Sequence, residues 1–177
     1  MISRSSGRRV RRTWRARRAR RPPVTRYHVV RVLPYPPDAL FELVGDVARY
    51  PEFVRWITSM DAEEVVALEP GVTQLDAEAG VGFSFLRERF STRVKRDSTR
   101  RQIDVSLISG PFKHLYNRWK FVPHPTGTEI VFDIDFEFKS RLLDAMLRAN
   151  MATAVEKLIG SFEARARVLH GAPVGPG

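Results

Sequence analysis

RLLDAMLRANMATAVEKLIGSFEARARVL, residues Arg141–Leu169, carries the longest regular pattern in the chain. Leu143, Met146, Leu147, Asn150/Met151, Ala154, Val155, Leu158, Ile159, Phe162 and Ala166 recur at steps of three and four, which places them on one face of an α-helix. The ends agree with the middle. Ser140 offers a hydroxyl cap to the first turn, Asp144 lies near the positive N-terminal end, and Arg165 and Arg167 lie near the negative C-terminal end. At about 1.5 Å per residue such a helix runs to roughly 43 Å, too long for a small domain to cover unless a broad surface wraps it. That surface has to come from the residues before it.

Those residues alternate. In Glu129–Phe138, Ile130, Phe132, Ile134, Phe136 and Phe138 interleave with Val131, Asp133, Asp135 and Glu137, the period-two signature of a strand with one apolar face. Leu115–Val122 turns Leu115, Asn117, Trp119 and Phe121 inward, with Tyr116, Arg118 and Lys120 outward, and Gln102–Ser109 turns in Ile103, Val105 and Leu107. Further strands are expected over Tyr27–Leu33, Ile57–Leu68, Thr73–Val81 and Phe83–Lys95. In the last of these Phe83 and Phe85 conflict with Phe90 and Val94, a conflict that a bulge near Arg87 resolves. Glu69-Pro70-Gly71, Arg96-Asp97-Ser98, Gly110-Pro111 and His124-Pro125-Thr126-Gly127 supply the turns, and turns this short make neighbouring strands antiparallel.

Between the first two strands, Pro37 suits a first helical turn, and Leu40, Phe41 and Val44 form an apolar face up to Gly45. Asp46 is placed to cap a second short helix through Tyr50 that Pro51 ends. One single-faced sheet and one long amphipathic helix have an economical solution. The expected fold is α+β: a curved antiparallel sheet of about seven strands gripping the C-terminal helix, with two short helices after the first strand. A curved sheet cannot touch a straight helix everywhere, so an apolar gap is expected between them.

Composition narrows the function. The 177 residues suit one domain with a full core and contain no cysteine, which excludes thiol chemistry and disulfides. No apolar run approaches the roughly 20 residues that span a bilayer, so any membrane contact is expected to be peripheral. The net charge of +10 is local: eleven Arg fall in residues 1–26, leaving 19 basic against 20 acidic residues from Tyr27 onward. A near-neutral body gives no reason to expect DNA as a partner. Residues 1–24 read as a disordered Arg-rich tail, 25–170 as the domain and 171–177 as a disordered C-terminus. The tail is open to several readings: a solvated extension, a mitochondrial presequence, or a contact with anionic lipid or RNA.

Catalytic constellations are lacking. His28, His114, His124 and His170 are scattered, so no metal site is expected, and there is no Ser-His-Asp pattern, phosphate loop or dinucleotide fingerprint. The row Asp133, Asp135, Glu137 reads as a solvated strand face, and Glu88 between Arg87 and Arg89 as a surface ion-paired cluster.

Leu33–Trp56 (LPYPPDALFELVGDVARYPEFVRW), Ser109–Phe121 (SGPFKHLYNRWKF) and Phe136–Leu147 (FEFKSRLLDAML) resemble the coenzyme Q-binding Coq10 family, which also holds the bacterial ribosome association toxin RatA proteins, within the START-like, polyketide cyclase/dehydrase superfamily. The resemblance spans roughly residues 25–170. It implies a lipid-binding domain that holds ubiquinone or a related polyprenyl lipid and supports cellular respiration, with no catalytic cofactor and no chemistry of its own. It also implies residence in the bacterial cytoplasm or at the cytoplasmic face of the inner membrane; a mitochondrial matrix location is the alternative. The RatA members imply a rival, a translation regulator on the large ribosomal subunit, for which Lys113, Arg118, Lys120 and the Arg tail are the phosphate contacts.

For a lipid tunnel the expected lining is Phe53, Trp56, Phe83, Phe85, Phe112, Leu115, Asn117, Trp119, Phe132 and Phe136, with Leu143, Met146, Leu147, Asn150 and Met151 from the helix. The same aromatic rows serve equally as plain core. Asn117, Asn150 and the Trp119 indole are the candidate partners for a polar head group.

Overall fold

The computed structural model describes residues 24–83 and 86–171. The Arg-rich segment before Val24, the residues after Gly171, and Phe85 lie outside them. Strand β1 (Thr25–Leu33) is followed by helix α1 (Pro37–Gly45) and a 3₁₀ turn over Val47–Glu52. Seven strands come next: β2 (Ile57–Ala62), β3 (Val66–Glu69), β4 (Val72–Phe83), β5 (Leu86–Asp97), β6 (Gln102–Ser109), β7 (Phe112–His124) and β8 (Gly127–Phe138). Helix α2 (Arg141–His170) closes the domain.

The eight strands form one antiparallel sheet in the order β1-β8-β7-β6-β5-β4-β2, with β3 also paired to β4. Register shifts between Ile57 and Ser59, Ser91 and Thr92, and Phe112 and His114 mark bulges, the local kinks that let a sheet this wide curl around a helix. In the fourth strand no bulge is needed at Arg87. Phe83 pairs with Leu86 and Gly82 with Arg87, so β4 ends and β5 begins where a single strand was expected, and the parity conflict marks a hairpin end. Likewise Ile57–Leu68 divides into β2 and β3, which raises the strand count from about seven to eight.

The 3₁₀ turn departs from expectation as well. Pro51 lies inside it, and the Asp46 carboxylate pairs with Arg49 at 3.3 Å instead of capping. Pro51 brings no N–H to the turn, which is closed beyond it by Phe53 N and Val54 N donating to Tyr50 O at 3.2 and 2.8 Å.

Helix α2 behaves differently along its length. Ser140 Oγ accepts from Leu143 N at 3.4 Å, and Asp144 Oδ1 accepts from Phe138 N at 3.1 Å, so the first turn is tied to the end of β8. Yet none of the first ten residues is buried. Met151, Val155, Ile159, Phe162 and Ala166 are, on a helix that contacts α1, β1 and β8. Two ion pairs clamp the same half, Arg31 of β1 with Glu156 and Arg165 with Glu52. The helix is buried most deeply along its C-terminal half, while Leu143 and Leu147 of the N-terminal half pack half-buried against the core.

Cross-strand side-chain pairs line the outward sheet face. His28 meets Asp133, His114 meets Asp135, Lys113 meets Glu137, Arg89 meets Glu78 and Arg93 meets Asp76. The acidic row of β8 is therefore a paired row, more than a solvated one. Arg89 pairs across strands with Glu78 instead of with its chain neighbour Glu88. At the centre of this face Asp104 accepts from Tyr116, Arg118 and Gln102. Partial burial pushes the Asp104 carboxyl up, but the three hydrogen bonds outweigh it and hold the group below the usual carboxylate range. Burial and the same carboxylate push the Tyr116 phenol up to about 12.

Candidate functional site: an apolar cavity under the long helix

Between α2 and the sheet lies a cavity of about 460 Å³. Its roof is the helix stripe Leu143, Met146, Leu147, Asn150, Met151, Ala154, Val155, Leu158 and Phe162. Its floor is the inward row of five strands: Ala77, Ala79 and Val81 of β4; Phe90, Thr92 and Val94 of β5; Val105 of β6; Phe112, Leu115, Asn117 and Trp119 of β7; and Phe132, Ile134, Phe136 and Phe138 of β8. Val47, Tyr50, Trp56, Ile57 and Met60 close one end. Period-two alternation in each strand and the helical stripe above are what bring residues from so many elements to one surface.

The void exists because of particular side chains. Along β4 the inward positions are Ala77 and Ala79, both buried and both too short to reach the helix. Large residues opposite close one side instead: the Trp119 ring lies 4.1 Å from that of Phe132 and 5.5 Å from that of Phe162. Half-buried Leu143, Met146 and Leu147, with exposed Asn150, mark the side on which the cavity meets solvent.

Of the expected lining, Trp56, Phe112, Leu115, Asn117, Trp119, Phe132, Phe136, Leu143, Met146, Leu147, Asn150 and Met151 come together here. Phe53 does not. It follows the 3₁₀ turn and belongs to no strand, so strand parity says nothing of it. Its ring packs 5.3 Å from Phe162 and under Arg165, and it lines an outer groove of about 540 Å³ with Arg55, Trp56, Gly82, Lys157, Gly160 and Ser161. Trp56 alone belongs to both spaces and forms the partition between them. Phe83 closes β4, and its side chain, like Phe85, lies outside the described residues.

Sequence reasoning missed Tyr50, Met60, the β4 row, Phe90, Thr92, Val94, Val105, Ile134, Phe138 and the helix residues Ala154, Val155, Leu158 and Phe162. The β4 row had a signal: inward Leu75, Ala77 and Ala79 alternate with Gln74, Asp76 and Glu78, and small residues on an inward row leave room.

Polar groups in the wall are few. The Tyr50 hydroxyl donates to Val44 O, and burial raises its pKa well above the ordinary value, so it stays neutral. Asn150 Nδ2 donates to Met146 O at 2.8 Å. The Asn117 carboxamide makes no hydrogen bond among the described residues, and its Oδ1 is buried. Among the described lining residues Tyr50 is the one titratable group, and no three His, Asp or Glu among the described residues gather as a metal site. No described helix is long and apolar enough to cross a membrane.

Known proteins resemble this arrangement. The 18 kDa protein CC1736 of Caulobacter crescentus has a solution structure that matches with a TM-score of 0.72 at 58% identity, over 84% of this chain and 99% of that one. The ribosome association toxin RatA of Rickettsia prowazekii is 37% identical over 145 residues, 77% of this chain and 92% of its own. The mitochondrial coenzyme Q-binding protein COQ10 homolog B of Xenopus laevis is 28% identical over 149 residues, 82% of this chain and 59% of its own. The family described as polyketide cyclase / dehydrase and lipid transport matches residues 33–163. The chain is thus a member of that START-like family, in the branch formed by the Coq10 and RatA proteins.

Proposed function

We propose that the protein is a non-enzymatic carrier of ubiquinone or a related polyprenyl lipid, held in the cavity under α2 and delivered at the cytoplasmic face of a bacterial membrane in support of respiratory electron transfer. The observation that carries this reading is the cavity wall: almost wholly apolar, rich in aromatic rings, and with no acid or base among its described residues beyond a neutral tyrosine. General acid–base chemistry needs a proton carrier within reach of the reacting atom, and this wall supplies none at neutral pH. Burying an apolar chain instead yields on the order of 0.8 kcal/mol per CH2 and demands few polar contacts. A volume of about 460 Å³ falls in the range of small-molecule sites, so the ring and the proximal tail lie inside while the distal tail leaves past Leu143, Met146 and Asn150. The name of the COQ10 relative supports the same ligand.

Organic extraction of the protein purified from a quinone-containing host, followed by mass spectrometry, is expected to recover quinone in a fixed ratio to protein. Recovery of no quinone and no other prenyl lipid overturns the reading.

The RatA relatives support a second reading, binding to the large ribosomal subunit. Of the three outward cations that would contact phosphate, Lys113 and Arg118 already pair with Glu137 and Asp104, while Lys120 makes no ion pair among the described residues. Salt-sensitive co-sedimentation with 50S subunits supports this reading if it survives removal of residues 1–23; co-sedimentation lost with that segment assigns the effect to the Arg-rich segment alone.

A further inference from the structure

From Trp56 to Leu86 the chain carries six acids, Asp61, Glu63, Glu64, Glu69, Asp76 and Glu78, and not one Lys or Arg. Asp76 and Glu78 lie on β4 and are paired across the sheet by Arg93 and Arg89. The other four fall in the Asp61–Pro70 stretch, which is exposed at every residue and makes no ion pair among the described residues. The cations level with it on β5, Arg93, Lys95 and Arg96, stand one strand further in, and Arg93 and Arg96 are already taken by Asp76 and Glu42. Apolar side chains share the strip: Val65, Val66 and Leu68 are each about half exposed. It is also a sheet edge. Strands β2 and β3 lie end to end along one side of β4 and neither pairs with another strand, so β3 presents main-chain N–H and C=O groups to solvent. An acidic, half-apolar edge repels its own copy and favours an extended chain of positive charge.

The protein itself supplies one. Residues 1–23 hold ten Arg and no acid, with Val10 and Trp14 among them. Drawn out at about 3.3 Å per residue they span up to about 75 Å from Val24, well beyond the roughly 45 Å of α2, so the far edge of the sheet is within reach. We propose that this Arg-rich segment docks on the β2–β3 edge of its own domain, its guanidinium groups against Asp61, Glu63, Glu64 and Glu69 and its apolar side chains over Val65, Val66 and Leu68. Surface ion pairs are individually weak, but the tether supplies an effective concentration in the millimolar range, which occupies a contact of Kd about 0.1 mM roughly tenfold over the undocked state. A polyanion then reaches the arginines only by displacing them, so the segment is an arm with a built-in competitor. The inference is independent of the ligand held under α2.

The test is tryptic cleavage within residues 1–23 of the full chain, followed by mass spectrometry, for the native protein and for Glu63→Gln/Glu64→Gln/Glu69→Gln. At low ionic strength the native segment is expected to be cut about tenfold more slowly than that of the variant, and at about 1 M salt, where the Debye length is about 3 Å, the two are expected to be cut alike. Equal rates at low ionic strength overturn the inference, as does a difference that survives about 1 M salt. Protection that disappears on dilution assigns the contact to a second copy and overturns docking within one chain. If circular dichroism finds the variant unfolded, hydrogen exchange of the native chain decides: amides of Val66–Glu69 that exchange several-fold faster at about 1 M salt, while those of β7 do not, support the docking, and exchange indifferent to salt refutes it.

Discussion

Replacing Phe162 with alanine tests how far α2 depends on its deeply buried C-terminal half, which holds the helix and roofs part of the cavity. Phe162 is 2% exposed, and its ring centroid lies 5.2 Å from that of Tyr50, 5.3 Å from Phe53 and 5.5 Å from Trp119. It therefore joins the helix to the 3₁₀ turn and to β7 at once. Truncating a buried phenylalanine costs about 3–5 kcal/mol, the lost transfer energy plus the void left behind, and three ring contacts place this site near the middle, at about 4 kcal/mol. For a chain of this size that lowers Tm by about 8–16 °C. Met146→Ala removes a side chain of similar length from the same helix, but solvent already shares its surroundings, so about 1 kcal/mol or less is expected. The assay is urea denaturation of both variants after lipid removal, because a bound ligand adds its own stabilisation to either. Comparable losses in the two variants, or a loss below about 1.5 kcal/mol for Phe162→Ala, refute the greater weight of the C-terminal half.

Ala79→Leu grows a side chain into the void from the β4 floor and is expected to reduce lipid loading at least tenfold with unfolding free energy within about 1 kcal/mol of native; unchanged loading by extraction counts against the cavity as the lipid site. The Asp104–Tyr116 pair predicts a stability plateau bounded on both sides. The Asp104 pKa is held down in the fold, so its contribution is present above the unfolded value near pH 4 and fades as pH falls below it; the Tyr116 pKa is raised, so its contribution fades from about pH 10 to about 12. Tyr116→Phe should flatten the alkaline limb of a pH–Tm profile, and a profile unchanged there refutes the pairing. Gly110, at φ +141° with the Phe90 Cβ 2.5 Å from where a methyl would stand, is expected to lose about 2 kcal/mol or more on change to alanine, whereas Gly160→Ala, with nothing within 4 Å, gains about 0.5–1 kcal/mol; thermal shifts of the same sign would refute this.

Periodicity explains which parts of this fold were readable. Helix α2, strand β6 and the β8 alternation were predicted to within a residue or two because burial on one face writes its spacing into the sequence. The Val65–Leu68 region misled because Val65, Val66 and Leu68 are apolar yet about half exposed at the sheet edge, so hydrophobicity there marks no inward face. Phe53 misled for the opposite reason: it is packed, but from a turn whose geometry has no parity to read. The aromatic side of the cavity was visible as large residues on inward rows. The alanine side was written only as small residues on the inward β4 row, and whether these leave a void depends on how far the helix stands from the strand.

The fixing of α2 at one end also has a mechanical consequence. All five buried helix residues lie in the stretch from Met151 onward, as do the ion pairs Arg31–Glu156 and Arg165–Glu52, while Leu143 and Leu147 nearer the start are half-buried and the Ser140 cap and the Asp144 hydrogen bond hold the first turn. The same void is therefore roofed by turns of unequal anchorage, half-buried at Leu143, Met146 and Leu147 and deeply buried at Met151, Val155 and Phe162. A guest of different girth is expected to displace the first turns more than the last, so the chamber yields first at its solvent-facing end.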